Sequence, residues 1–231
     1  MNSATPGIER IFSWSSLDPK SRVVILVSIL LICTIPHSSG QETITGWNEA
    51  ESWTEQDLNA AVIHGELAWV FGDFGTVRFS EDSGATWQNH TNLGDVNLIS
   101  ADSYENSMAV LSADGVIYMK DSLESDWITI DSSQTGMKSI ALAGEKSVII
   151  VGIEGAIWHY TDQTWWNRTT SFTENLHDVD FIGAEDGLAV GDSGTILVTD
   201  DGGTTWDYRE SPDPDSSIVS VVPCSTSIIC G

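Results

Sequence analysis

Acidic side chains beside glycine recur along the chain at a nearly regular interval, and they are the first candidates for chemistry. Each of four stands one or two residues before a glycine: Asp73, Asp114, Glu154 and Asp192. If the fold brings these carboxylates to one face, they could bind a cation or a basic peptide. Aspartate next to glycine is also ordinary turn chemistry, because its carboxylate binds nearby backbone N–H groups. Both interpretations stay open at this level.

The other candidates for catalysis and metal binding are weaker. His64, His90, His159 and His177 lack the paired spacing of zinc ligands, and the sequence offers no Ser/His/Asp triad or phosphate-binding glycine loop. Sugar hydrolysis needs two carboxyl groups about 5 to 9.5 Å apart, and 34 acidic residues make such a pair impossible to reject by counting. The sequence therefore predicts no metal, no cofactor and no enzyme activity, with a glycoside hydrolase as the alternative.

Tryptophan and glycine recur with a period near forty residues. The tryptophans are 40, 40, 39 and 40 residues apart, and the glycines of the acidic turns are 40, 40 and 39 apart. A fixed period of this length indicates a repeat architecture. The two series are Trp47, Trp87, Trp127, Trp166 and Trp206, and Gly75, Gly115, Gly155 and Gly194.

Each repeat contains four short segments with β-type patterning. Four strands in about forty residues make one propeller blade, so the sequence predicts an all-β propeller of four-stranded blades with about 4.5 repeats present. The fourth repeat shows the strands best, at 176–182, 187–191, 195–199 and 204–209. We expect one propeller domain over 41–231, with blade units 55–92, 93–133, 134–172 and 173–212 and a partial unit made of 213–231 with 43–54.

Two repeats carry the pattern Ser/Thr-x-Asp-x-Gly-x-Thr-Trp at their third turn. The carboxylate can accept hydrogen bonds from N–H groups of its own turn, glycine supplies a positive φ, and tryptophan packs across the base of the hairpin. We interpret these residues as structural rather than catalytic. They are Ser80, Asp82, Gly84, Thr86 and Trp87 in the first repeat, and Thr199, Asp201, Gly203, Thr205 and Trp206 in the fourth.

This motif resembles the Asp-box, or BNR repeat, of sialidases, xyloglucan hydrolases, sortilin-type receptors and photosystem II stability/assembly factors. The last group is the most similar, because its blades carry Gly-Asp-x-Gly-Thr before the box, as this chain does at 72–76 and 191–195. The likeness covers about residues 43–231, although the second and third repeats lose the motif. It implies a WD40-like, non-catalytic module that binds proteins or assists assembly.

Charge and arginine content limit the partners. Photosynthetic assembly factors present an arginine-rich face and sialidases an arginine triad, whereas after residue 41 this chain has Arg78, Arg168 and Arg209, at unrelated blade positions. The whole chain carries a formal charge of −25. Such a surface repels nucleic acid and anionic lipid. The predicted partner is therefore a protein or an extracellular ligand, whose identity stays open.

The N-terminus has the pattern of an export signal. Basic residues at 10, 20 and 22 precede an apolar run over 23–35, followed by small polar residues. The run is shorter than the roughly 20 residues that cross a bilayer, so we predict a signal peptide over 1–40 that is cleaved after Gly40. An uncleaved signal anchor is the alternative. Either way we expect the propeller outside the cytoplasm, secreted or held at the outer side of the membrane by residues 23–35.

Three further sets of residues are candidates for modification or contact. Cys224 and Cys230 could form a disulfide across a hairpin of residues 217–222 and 226–230, or stay as free thiols. Asn89 and Asn167 begin N-glycosylation sequons. The third repeat is rich in aromatic residues, which form a candidate contact surface or simply pack within the blade. They are Trp158, Tyr160, Trp165 and Trp166.

The last segment, 216–231, aligns with only the first two strands of a fifth blade. An open apolar edge there would promote aggregation. The sequence therefore favours a fragment whose further blades follow. A five-blade ring completed by an N-terminal strand near 45–53 is the alternative.

Overall fold

The computed structural model describes residues 54–122, 124–224 and 228–230. The predicted signal segment, Trp47 and the N-terminal strand near 45–53 lie outside the described residues. Within the described part, the chain is antiparallel β-sheet joined by turns, with three short 3-10 turns. No helix in this part is long and apolar enough to cross a membrane.

Four sheets follow one another along the chain, and each is a four-stranded meander whose neighbouring strands are consecutive in sequence. The prediction of an all-β propeller of four-stranded blades is confirmed. Blade 1 contains β1 (Leu58–His64), β2 (Leu67–Gly72), β3 (Val77–Ser80) and β4 (Gln88–Asn89); blade 2 contains β5 (Leu98–Tyr104), β6 (Ser107–Ser112), β7 (Val116–Lys120) and β8 (Ile128–Asp131). Blade 3 contains β9 (Met137–Leu142), β10 (Val148–Gly152), β11 (Ile157–Thr161) and β12 (Thr164–Asn167); blade 4 contains β13 (Leu176–Ile182), β14 (Asp186–Gly191), β15 (Ile196–Thr199) and β16 (Asp207–Arg209); a two-stranded sheet of β17 (Val222–Cys224) and β18 (Ile228–Cys230) follows.

The outer strands are shorter than the sequence predicts. The fourth repeat is predicted to end in a strand over 204–209, whereas β16 begins only at Asp207. In blade 1 the outer strand is the two-residue β4. The residues before β4 and β16 are held in the Asp-box turns. Their backbone N–H groups therefore bond inside the turn and not to the neighbouring strand.

The core lies between successive blades. Strands β6 and β10, second in their blades, are buried along their whole length, which explains their compact apolar sequences. One cluster joins blade 3 to blade 4 through Ile149, Leu176 and Leu197, all fully buried. Burying one such side chain stabilises the fold by about 1.5–3 kcal/mol. Packing of neighbouring blades against each other therefore supplies the apolar burial that a single four-stranded sheet lacks.

The first strand of each blade is innermost and contacts the first strand of the next blade. Each of these four strands contains a β-bulge near its start, where one residue is skipped in the pairing with the second strand. A bulge bends a strand and redirects the skipped side chain. The skipped residues are Asn59, Ile99, Lys138 and His177.

Candidate binding face

The second turn of each blade, together with the skipped residues of the inner strands, forms the face that we call the binding face. In three blades this turn is a 3-10 turn: Asp73–Gly75, Ile153–Gly155 and Asp192–Gly194. Its middle residue is left-handed, with φ near 55° in each case. Those residues are Phe74 at 53°, Glu154 at 57° and Ser193 at 53°.

These turns are fixed against the following blade. The backbone N–H of Glu154 donates to Asn175 Oδ1 over 3.0 Å, and that of Phe74 donates to Asn97 Oδ1 over 3.4 Å. The N–H of Gly75 donates to the carbonyl of Val96 over 2.6 Å. The position of each turn is therefore fixed by the residues that precede the inner strand of the next blade.

Asp192 is the centre of a hydrogen-bond network on this face. Its carboxylate accepts bonds from Asn175 Nδ2 at 2.9 Å, Ser217 Oγ at 2.8 Å and His177 Nε2 at 2.7 Å. The hydrogen bond from His177, followed by those from Ser217 and Asn175, lowers the pKa of Asp192 to about 2. This side chain is therefore an anion at neutral pH, and its oxygens are already engaged.

The imidazole of His177 is oriented by Lys138 from the neighbouring blade. Lys138 Nζ lies 3.1 Å from His177 Nδ1. A protonated amine can only donate, so Nδ1 of His177 accepts. The ring proton is therefore on Nε2, which donates the hydrogen bond to Asp192. Ser217 donates to Asp192 and not to the imidazole, so these residues do not form a nucleophile–base pair of the kind used in acyl transfer. The arrangement joins two blades and the segment after blade 4.

The other three acidic turn residues have separate surroundings. Asp73 accepts a 2.9 Å bond from Asn59 Nδ2, Asp114 accepts from Ser112 Oγ, and Glu154 is exposed. Within the described residues, no group of three or more His, Cys, Asp or Glu side chains is arranged to hold a metal ion. The four acids thus occupy one face but do not converge on one ligand position.

Apolar side chains are exposed among these polar groups. Phe74 is 56% exposed and Ile153 is 41% exposed, and both belong to the fixed second turns. Val219, 60% exposed, follows Ser217, which is bonded to Asp192. Apolar side chains that are exposed and already held in position are available to contact a partner.

The two Asp-box turns have almost the same geometry. In blade 1, Asp82 accepts bonds from Thr86 N–H at 2.7 Å, Thr86 Oγ1 at 2.6 Å and Ser80 Oγ at 2.8 Å. In blade 4, Asp201 accepts the matching bonds from Thr205 and Thr199 at 2.8 to 2.9 Å. The hydrogen bonds from Thr86 and Ser80 lower the pKa of Asp82. Each carboxylate therefore closes its own turn.

Removing the blade 4 carboxylate tests this role. We expect Asp201→Ala to lower the free energy of unfolding by about 2 kcal/mol, because three hydrogen bonds to one acceptor are lost at an exposed turn. Urea unfolding followed by fluorescence measures the change. The neighbouring exposed residue provides the control, since Asp200→Ala is expected to change stability by less than about 0.5 kcal/mol. Equal effects of the two substitutions would contradict the structural role of Asp201.

Tryptophans of the repeat series differ in burial, and one member is displaced. Trp206 is 8% exposed and donates from Nε1 to the carbonyl of Gly203 over 3.2 Å, whereas Trp87 is only half-buried. In blade 3 the inward position opposite Tyr160 is taken by Trp165. Trp166, the residue that fits the forty-residue period, points to the other side of the strand, because side chains alternate.

The aromatic residues of the third repeat do not form one surface. Trp158, Tyr160 and Trp165 pack on the core between blades 2 and 3. Trp166 pairs with His159 on the opposite side of the sheet, is 49% exposed and lies under Arg168, whose guanidinium is 5.6 Å from the ring centre. Packing within the blade, the other interpretation of these residues, therefore accounts for three of the four, and a contact surface here stays a prediction.

Blade 2 replaces the Asp-box serine with a buried lysine. Lys120 occupies the pairing position that Ser80 holds in blade 1, and it is 3% exposed. Its ammonium lies 5.1 Å from the centre of the Trp69 ring and 5.2 Å from that of Trp127. Burial lowers the pKa of Lys120, and Asp126 opposes this. Cation–π contacts between blades 1 and 2 take the place of the box hydrogen bonds.

The remaining candidates concern modification. Strands β17 and β18 pair so that Cys224 lies opposite Ile228 and Cys230 opposite Val222, so the disulfide stays a prediction. Asn89 and Asn167 are exposed on outer strands, and their glycosylation also stays a prediction. Arg78, Arg168 and Arg209 belong to three different blades.

Sequence reasoning missed the Lys138–His177–Asp192 chain. Lys138 and His177 are 39 residues apart, which is the repeat spacing, so they occupy the same position in successive blades. That spacing is a usable signal, because equivalent residues on adjacent inner strands are neighbours in a propeller. Their position at the bulges could not be read from the sequence.

The fold and the two Asp-box turns define the class of protein, which is an Asp-box repeat β-propeller. Residues 157–225 match the family described as photosynthesis system II assembly factor YCF48. This match confirms the resemblance to that family, over less than a third of the 231-residue chain.

Solved structures are similar in fold. The WD40 β-propeller domain of Doa1 matches with a TM-score of 0.53 and 16% identity, over 70% of this chain and 57% of that one. A structure described as YCF48 bound to D1 peptide matches with a TM-score of 0.46 and 14% identity, over 67% and 81%. A GH74 xyloglucanase from Xanthomonas campestris gives 0.47 and 12%, over 63% and 28%. No curated protein sequence matches the chain.

Proposed function

We propose that this protein is an exported, non-catalytic propeller that binds a protein partner through its binding face and acts like an assembly factor. The observation that carries the proposal is the exposure of Phe74 and Ile153 on turns fixed by hydrogen bonds. Such turns bind without first being ordered, which reduces the entropic cost of association. The match to an assembly-factor family supports a role in binding.

The acidic turn residues of the face support binding rather than chemistry. Asp192, Asp73 and Asp114 each accept hydrogen bonds from neighbouring side chains, and the pKa of Asp192 is held near 2. A general acid for sugar hydrolysis needs a carboxyl with a raised pKa, so Asp192 is suited to orient residues and not to transfer a proton.

Site-specific photo-crosslinking in intact source cells tests the proposal. A benzophenone amino acid at position 74 is expected to give a discrete protein adduct, recovered outside the cytoplasm. The same group at position 208, an exposed aromatic site on the outer strand of blade 4, is the control and should give no such adduct. Phe74→Ser should also weaken the adduct formed from position 153. Equal adducts from positions 74 and 208, an adduct inside the cytoplasm, or hydrolysis of xyloglucan by the purified protein would overturn the proposal.

A further inference from the structure

The free edges of the inner strands are bonded by side chains of the preceding blade. An inner strand has a pairing partner on one side only, so its other edge presents backbone N–H groups. In three successive joints, such an N–H donates to a side chain at one repeat position. Ile140 donates to Ser100 Oγ at 3.2 Å, Val179 to Ser139 Oγ at 3.4 Å, and Val221 to Asp178 Oδ2 at 2.9 Å.

A second contact of this kind lies two residues further along the strands. Asp102 Oδ2 accepts the N–H of Leu142 over 2.7 Å, which fastens blade 2 to blade 3. In blade 4 the residue that corresponds to Asp102 is Asp180. Since Asp178 is bonded to Val221, the donor for Asp180 would be the N–H of residue 223.

Residue 223 is proline, which has no backbone N–H. Asp180 therefore lacks the inter-blade bond that Asp102 makes. Within the described residues, Asp180 accepts one hydrogen bond, from the N–H of Phe181 at 2.7 Å. Among the described residues, no donor reaches the second oxygen when the group is ionised, and protonation removes the charge that would need one.

The charges around Asp180 also disfavour ionisation. Asp102 on β5 and Asp178 on β13 face it as carboxyl groups. The adjacent strands contribute Lys138 on β9, which is directed to His177, and Asp186 at the exposed start of β14. Burial, followed by the charges of Asp102 and Asp178, raises the pKa of Asp180 to about 7.

We propose that Asp180 is a proton-controlled latch between blade 4 and the strand that follows it. With Asp180 protonated, the joint is closed, and β17 remains fastened through Val221 and Ser220, which both donate to Asp178. When Asp180 loses its proton, a charge without a donor lies beside two other carboxyl groups, and the joint weakens. Pro223 creates the latch by removing the donor that the other joint retains.

The sign of the pH dependence follows from the raised pKa of Asp180. Between its ordinary value of 3.8 and about 7, the unfolded chain releases this proton while the folded chain keeps it, so the free energy of unfolding falls as the pH rises. Below 3.8 the stabilisation is fully present, and above about 7 no more is lost. Between pH 6 and pH 8.5, we expect the contribution of Asp180 to opening of the joint to rise about tenfold.

Hydrogen exchange and thermal unfolding at pH 6 and pH 8.5 test the latch in the full chain. After correction for the intrinsic rate, the peptide that covers residues 218–224 should exchange about tenfold faster at pH 8.5, and the unfolding midpoint should be about 4 °C lower. Asp180→Asn should remove most of both differences and leave the smaller part that comes from Asp102, because burial raises the pKa of that carboxyl to about 6. Asp200→Asn, at an exposed site, should retain them.

A second variant tests the origin of the latch. Pro223→Ala restores a backbone N–H at the position where the other joint has one, so it should at least halve the difference in exchange between pH 6 and pH 8.5. The proposal is overturned if Asp180→Asn keeps the wild-type pH dependence, or if Pro223→Ala leaves the difference unchanged in a folded protein.

Discussion

Replacing Trp206 with alanine is expected to lower the free energy of unfolding by about 3–5 kcal/mol. The indole is 8% exposed and belongs to the core between blades 3 and 4. It meets the Phe181 ring edge-on at 6.0 Å and donates a hydrogen bond to Gly203. Truncation would leave a cavity in the joint and remove the contact that ties the box turn to the sheet. Guanidinium unfolding followed by circular dichroism measures the change.

Trp166→Ala provides the matched control, because it deletes the same side chain at the member of the repeat series that is 49% exposed. We expect it to cost less than about 1 kcal/mol. If both tryptophans proved equally costly to truncate, the displacement of the inward position from Trp166 to Trp165 would be contradicted.

The second large effect is expected at Gly194, where alanine should cost about 3 kcal/mol or more, or prevent folding. The residue has a φ of +62°, and an added Cβ would lie 2.6 Å from the carbonyl oxygen of Asp213 and 2.9 Å from Cα of Pro214. Both are backbone atoms, so neither can move without shifting the segment after blade 4. Thermal and chemical unfolding of Gly194→Ala would measure the loss.

Gly183→Ala separates the cost of the left-handed conformation from the cost of the steric clash. Gly183 has a similar φ of +67°, but no heavy atom lies within 4 Å of an added Cβ. Its substitution should therefore cost only the left-handed conformation, about 1 kcal/mol. A loss at Gly194 no larger than that at Gly183 would show that the turn does not press against the next segment as the structure describes.

The architecture was predictable because each strand and each turn depends on a few consecutive residues. A strand needs only an alternating segment of about five residues, and a turn needs its glycine or aspartate. Both recur every forty residues along the chain. The first strand of blade 4 is predicted at 176–182 and observed at Leu176–Ile182. The chemistry of the Asp-box is equally local, since Asp82 bonds to residues no more than four positions away.

Contacts between blades were not predictable in the same way. The period assigns Trp166 to the inward series, but a shortened third repeat changes the pairing by one residue, and a change of one reverses the face of every side chain. For this reason three of the four aromatic side chains of the third repeat pack on the core and Trp166 is exposed. Lys120 is another example, because the two tryptophans that enclose it come from different blades.

The sequence by itself determined the repeat, the four-stranded blades, the box turns and the acidic composition, because each depends on residue type and spacing within one unit. Only the tertiary structure decided which residues meet across the joints. It brought Lys138 to His177 and exposed Phe74 on a fixed turn. These features depend on bulges and on the stacking of one inner strand against the next, where residues about forty positions apart become neighbours.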